Sequence, residues 1–189
     1  MEAFLISTLA IAVGEIGDKT QLLALMLAAR LKRPLPIVAG IAVATLFNHT
    51  IAGIAGAWVR RSVPPLYLRW ILAASFFAVA LWALRPDSGD STTRRDYDRF
   101  GAFAVTVVAF FLAEIGDKTQ IATVVLAARF DNLFAVVAGT TIGMLIADVP
   151  AVLLGNVIAR KIPFHILRWF AAAMFALLGV AVLLAPGLD

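Results

Sequence analysis

Glu15-Ile16-Gly17-Asp18-Lys19-Thr20-Gln21 occurs twice in this chain, because Glu114-Ile115-Gly116-Asp117-Lys118-Thr119-Gln120 repeats it 99 positions later. Each copy sets two carboxylates, an ammonium, a hydroxyl and an amide inside a largely apolar run. Ala3 to Val13 precedes the first copy, and Leu22 to Ala29 follows it. One charged side chain at the centre of a bilayer helix costs roughly 3 kcal/mol. Three charges in each of two copies therefore require a function that uses them.

The flanks decide the class. The 189 residues are 62% hydrophobic, with a mean hydropathy of +0.94, more apolar surface than one soluble core of this length can enclose. The reading is an integral membrane protein with nearly all of its chain embedded. Cysteine is absent, which excludes disulfides and thiolate metal sites. The net charge of +4 and pI near 10 are what basic loops that set topology produce, so no nucleic-acid partner is expected. Met1-Glu2-Ala3 lacks the positive region of a signal peptide, and the apolar run after it leads into the charged motif rather than a cleavage site. It reads as a retained first helix.

Six stretches are long enough to span: 3–29, 35–59, 66–84, 100–128, 133–158 and 164–185. A crossing needs about 20 residues, and backbone groups in lipid must be satisfied internally, which makes the spans helices. Residues 86–99 are polar, mixed in charge and rich in turn formers, and read as a flexible linker. The repeat extends beyond the motif at the same offset. Leu27-Ala28-Ala29-Arg30 matches Leu126-Ala127-Ala128-Arg129, Gly40 matches Gly139, and Leu68-Arg69-Trp70 matches Leu167-Arg168-Trp169. The fold expected is thus an all-α membrane protein with six transmembrane helices in two three-helix repeats, 1–85 and 100–189. Three is odd, so the second repeat enters the membrane from the opposite side, as in the inverted repeats of secondary transporters.

Loop charges give an orientation. With the N-terminus outside, the inner loops collect Arg30, Lys32, Arg33, Arg85, Arg94, Arg95, Arg99, Arg160, Lys161 and Arg168. The outer loops hold Arg60, Arg61, Arg69 and Arg129. This excess places both termini outside and the linker in the cytoplasm.

On a continuous helix Glu15 and Asp18 project from one face, with Gln21 continuing it. Glu114, Asp117 and Gln120 repeat that set. A two-fold axis in the membrane plane would bring the four carboxylates together near mid-depth. Such a cluster takes up protons, binds a cation, or pairs with Lys19 and Lys118. Gly14 and Gly17 flank Glu15, and Gly116 sits inside the second copy. They mark either a polar break between half-helices, exposing carbonyl ligands, or close helix packing. A structural Glu15–Lys19 ion pair is the bland alternative for one copy, and a second identical copy argues against it. Carboxylate, amide and hydroxyl oxygens suit manganese, calcium or magnesium rather than copper(I) or zinc. His49, beside Asn48, occupies the repeat position of Asp148, the only other carboxylate within a span. Both are candidates for supporting or proton-relay groups, or for plain helix-to-helix hydrogen bonding. No phosphate-binding Gly-x-x-x-x-Gly-Lys-Ser/Thr run is present, so a gradient drives the work.

Two Glu-x-Gly-Asp-Lys-Thr motifs, each on the first helix of a three-helix half, resemble the Gdt family of cation transporters in the LysE superfamily. The resemblance covers essentially the whole chain. It implies transport of manganese and calcium in exchange for protons, with manganese export in bacterial members and an inner-membrane location. It also implies metal binding by Glu15, Asp18, Glu114 and Asp117, with Thr20, Gln21, Thr119 and Gln120 completing the motif. The expected partners are divalent ions, protons and the lipid bilayer. No resident cofactor is expected, since the ion is cargo, and a homo-oligomer is left open. Export of an amino acid or other small cationic solute is the alternative from the wider superfamily. An intramembrane lipid phosphatase is the alternative from another class, although the motif lacks the phosphate-gripping arginine such an enzyme would want.

Overall fold

The computed structural model describes residues 1–84, 101–154 and 164–184, so the linker expected at 86–99 lies outside the described residues. All regular structure among them is helical. In chain order the helices are α1 (Glu2–Glu15), α2 (Lys19–Leu31), α3 (Pro34–Ser62), α4 (Pro65–Ala83), α5 (Ala102–Glu114), α6 (Lys118–Arg129), α7 (Leu133–Leu154) and α8 (Phe164–Leu184). The first and fourth expected spans are thus each two shorter helices, interrupted inside the motif. Two helices meet the length and hydropathy of a membrane crossing, Pro34–Ser62 and Leu133–Leu153, while Tyr67–Trp82, Ala102–Glu114 and Ala172–Leu184 are shorter apolar segments.

Local sequence explains the boundaries. Pro34 and Pro65 open α3 and α4, where a missing N–H costs nothing. Lys32 closes α2 in the left-handed region, with its N–H bonded to the Ala28 carbonyl. The Asn132 side chain accepts from Ala135 N–H at 2.9 Å and so caps α7. At the far end of α3, Arg60 pairs with Asp131 in the α6–α7 connection.

Packing is reciprocal between the two halves. Helix α1 lies along α7, and α5 lies along α3. The contacts use matching residues. A Cβ on Gly139 would stand 2.6 Å from the Phe4 carbonyl oxygen and 3.0 Å from Ser7 Cβ. One on Gly40 would stand 2.9 Å from the Phe103 carbonyl oxygen and 2.7 Å from Thr106 Cβ. Phe4 and Ser7 are the repeat partners of Phe103 and Thr106. Glycine is required at both crossings because the backbones themselves touch. Gly143 continues the α1–α7 seam one turn on, against Thr8 and Ile11. The two helices therefore run parallel.

Two apolar clusters hold this frame. One joins α1, α4, α6, α7 and α8 through residues such as Ile11, Phe76, Leu126, Met144 and Phe175. The other joins α2, α3, α5 and α7 through Leu27, Ile37, Ile41, Phe110 and Val152. The exterior is also apolar: Leu9, Phe47, Trp58, Leu112, Ile146 and Trp169 are among many large side chains turned outward. Charged and hydroxyl groups are instead buried, Glu15, Asp18, Glu114, Asp117, Lys118 and Asp148 among them. A greasy outside around a polar inside is the distribution expected of a protein solvated by a bilayer.

Candidate cation site

Both copies of the motif fold the same way. Asp18 N–H donates to the Glu15 carbonyl at 3.0 Å, and Asp117 N–H to the Glu114 carbonyl at 3.0 Å. Between them Ile16 (φ −63°, ψ 117°) and Ile115 (φ −59°, ψ 121°) precede Gly17 at φ 85° and Gly116 at φ 71°. These angles define a type II turn, whose third position favours glycine because its φ is positive. The aspartate that follows is the N-cap residue of the next helix, α2 or α6. The glutamine three residues further on reaches back: Gln21 Oε1 accepts from Gly17 N–H at 2.9 Å, and Gln120 Oε1 from Gly116 N–H at 2.8 Å. This variant of a capping box satisfies an amide that the broken helix would otherwise orphan.

The break revises the reading of the motif as one helical face. Glu15 ends one helix and Asp18 begins another, so their convergence comes from the turn rather than from a three-residue helical step. The glycines mark a polar break, and at Gly17 and Gly116 the chain conformation itself demands them. Gln21 does not extend an acidic face either. Its Nε2 donates to the Ala147 carbonyl on α7 at 3.0 Å, tying the first motif to the second half.

Glu15, Asp18 and Asp117 bring one carboxylate oxygen each to within 4.8 Å of one another, all three buried. The lysines cross over. Lys19 Nζ sits 3.1 Å from Asp117 Oδ1, and Lys118 Nζ sits 3.0 Å from Asp18 Oδ1. Each ammonium thus answers the aspartate of the other copy, and a Glu15–Lys19 pair is not what forms. The pairs differ in burial, since the Lys19 side chain is 32% exposed and that of Lys118 only 6%.

Glu114 stands outside that group of three. Thr45 Oγ1 donates to its Oε1 at 2.7 Å and Asn48 Nδ2 to its Oε2 at 3.0 Å, both from α3. Asn48 Nδ2 also donates to the Phe111 carbonyl at 3.2 Å, so two acceptors fix the orientation of its amide. Among the described residues Glu15 accepts from Thr20 on Oε2, and its Oε1 has no hydrogen-bond partner. Thr119, the counterpart of Thr20, turns instead to Asp117 Oδ2 at 3.3 Å. Among the described residues buried His49 and Asp148 make no side-chain hydrogen bonds, which leaves the plain helix-to-helix bonding reading without support for either. Thr45 was not singled out by the sequence, although it shares a helical face with Asn48 and His49 at spacings of three and four.

Hard oxygen donors gathered from two halves, with lysines as internal counter-charges, can exchange an ammonium for a metal cation. The comparisons with known proteins agree with that chemistry. The sequence matches the family described as divalent cation/proton antiporter GDT1 over residues 3–91 and 102–187. A Vibrio cholerae protein named "Putative manganese exporter" is 46% identical over 182 residues, covering 96% of this chain and 90% of its own. A GDT1-like protein of Synechocystis is 30% identical over 200 residues, covering 95% and 96%. GDT1-like protein 4 of Oryza sativa subsp. indica is 34% identical over 190 residues, covering 85% and 66%. No solved structure matches the chain.

Proposed function

The chain belongs to the GDT1 family of divalent cation/proton antiporters, and from that premise we propose that it exports manganese, and calcium by the same ligand chemistry, in exchange for protons. Manganese is assigned from the name of the Vibrio cholerae relative and from a site built of hard oxygen donors. The observation that carries this reading is the meeting of Glu15, Asp18 and Asp117, from two halves of the chain, within 4.8 Å. Oxygens that close leave space for an ion and none for the body of an amino acid. A family of antiporters also leaves the lipid phosphatase without support.

In this reading the cation displaces Lys19 and Lys118 from the aspartates and is held by Glu15, Asp18 and Asp117. Glu114 joins from its seat on α3 as the halves rearrange. Protons take the place of the metal on the carboxylates during the return step, since a ligand must be deprotonated to bind. No resident cofactor takes part.

The reading places six crossings in an inner membrane as inverted repeats, 1–85 and 100–189, joined by a cytoplasmic linker at 86–99, with both termini outside. The reciprocal packing at Gly40 and Gly139 supports the inversion. Length supports a crossing by the broken first helix: the 14 and 13 residues of α1 and α2, end to end, reach about 40 Å at 1.5 Å per residue, against a hydrocarbon core of about 30 Å. Broken helices at a buried ion site are a recurrent device of secondary transporters.

The test is exchange in proteoliposomes. An imposed pH gradient is expected to drive manganese accumulation, and Asp18→Asn or Asp117→Asn to abolish it. Manganese flux that persists in both variants, or ignores the gradient, defeats the reading.

A further inference from the structure

Asp148 is a fifth buried acid and belongs to neither motif. It is fully buried on α7, and among the described residues neither of its carboxylate oxygens has a hydrogen-bond partner. The α1–α7 seam sets its position. Gly143 abuts Thr8 and Ile11, and the helices run parallel, so the next turn of each brings Asp148 level with Glu15 at the end of α1. The neighbouring carbonyl, that of Ala147, is the one that takes the hydrogen bond from Gln21 of the first motif. Asp148 interacts electrostatically with Glu15, Asp18 and Glu114.

A buried polar group left without partners costs about 1–3 kcal/mol, more if charged, and in a native protein such a group marks a ligand, a water or a functional demand. The repeat supplies an internal comparison. Position 49, the counterpart of 148, is histidine. Positions 45 and 48, the donors that hold Glu114, correspond to Met144 and Ala147, which have no donor to offer Glu15. The Glu15 end of the site thus carries an additional acid where the Glu114 end carries neutral donors. Three carboxylates also fall short of the six to eight oxygens a hard divalent ion such as calcium gathers.

We propose that Asp148 is a direct ligand of the transported cation, closing in on the Glu15, Asp18 and Asp117 carboxylates when the ion binds, while Thr45 and Asn48 hold Glu114 aside. This rests on the reading that the clustered acids bind a divalent cation. The bland alternative is an acid kept neutral as packing, which would have no part in metal affinity.

The experiment is manganese binding to the purified full-length chain, followed by titration calorimetry and by loss of the free-ion paramagnetic resonance signal. Asp148→Asn keeps the shape and removes the charge. It is expected to weaken binding about tenfold or more, the scale seen when groups around a metal are lost, with the metal-free thermal midpoint unchanged or raised. Combined with Asp18→Asn, the loss should be smaller than the product of the two single losses, as for two ligands of one ion. Wild-type affinity in Asp148→Asn overturns the assignment even if its flux falls. A wild-type chain that binds no divalent ion removes the functional reading and this assignment with it. Should Asp148→Asn not fold, Asp148→Glu carries the test: it keeps the charge but lengthens the arm, and is expected to change the manganese-to-calcium affinity ratio severalfold. An unchanged ratio and unchanged affinities overturn the assignment equally.

Discussion

Glu15 and Glu114 begin identical heptapeptides, end corresponding half-helices and open the same type of turn, yet their carboxylates keep different company. Glu114 has a donor on each oxygen, Thr45 and Asn48, both from α3. Glu15 has Thr20 on one oxygen and no partner on the other. The cause lies outside the motif. Helix α3 carries Thr45, Asn48 and His49 where α7 carries Met144, Ala147 and Asp148. The heptapeptide dictates its own backbone, but the helix across from it decides what each acid can do. A two-fold site can therefore hold one acid in reserve and offer the other.

The two copies can be set against each other experimentally, and the largest difference is expected at the crossed ion pairs. Asp18→Asn withdraws a carboxylate from the buried ammonium of Lys118, whereas Asp117→Asn withdraws one from the partly exposed Lys19. The first should cost about 3–5 kcal/mol, as for a broken buried pair, and the second about 1 kcal/mol, because its lysine is only partly buried. Denaturant unfolding in detergent micelles measures both, and equal losses would show that burial does not distinguish the pairs.

A smaller contrast is expected between the glutamates. In Glu114→Gln the amide can turn its nitrogen to Thr45, whose hydroxyl then accepts, and its oxygen to Asn48, so what is lost is the charge assistance of two hydrogen bonds, about 1 kcal/mol. Manganese affinity should change little. Glu15→Gln should do the reverse, weakening manganese binding while stability moves by less than it does in Glu114→Gln. Matching effects on both quantities would erase the asymmetry. The smallest difference, close to none, is expected for Gly17→Ala and Gly116→Ala. Each forces a side chain into positive φ at about 1–2 kcal/mol, and a Cβ on Gly116 meets nothing within 4 Å, so its cost is conformational alone. Unequal losses would mean that packing, rather than the turn, distinguishes the copies.

How much of this could be read from the chain follows the same division. The doubled heptapeptide, the glycines and the apolar flanks are local signals, and they disclose the half-helices, the repeat and the acids. The type II turn was within reach, since glycine followed by a capping aspartate and a glutamine three residues later has a mechanical meaning at each position. The crossed lysines were not legible. Lys19 and Asp18 adjoin in sequence, and only the meeting of the halves gives each lysine the other copy's aspartate. Nor was the seat of Glu114 legible, because it depends on the register of α5 against α3, which the Gly40 contact fixes. Asp148 lay between these extremes. Its place in a span was plain, but its lack of partners is a property of the packed protein.

The glycine seams also constrain how the molecule is made. Helix α1 leaves the ribosome well before α7, but the surface that covers its buried Ser7 and Thr8 belongs to α7, in the other half of the chain. Helix α5, by contrast, finds α3 already synthesised when it emerges. The first half must therefore wait in the insertion machinery or in lipid with polar groups uncovered until α7 arrives, whereas the second docks onto a finished template. Biogenesis of this repeated chain is asymmetric in time, and chain truncations that stop short of α7 should be the species that quality-control proteases recognise.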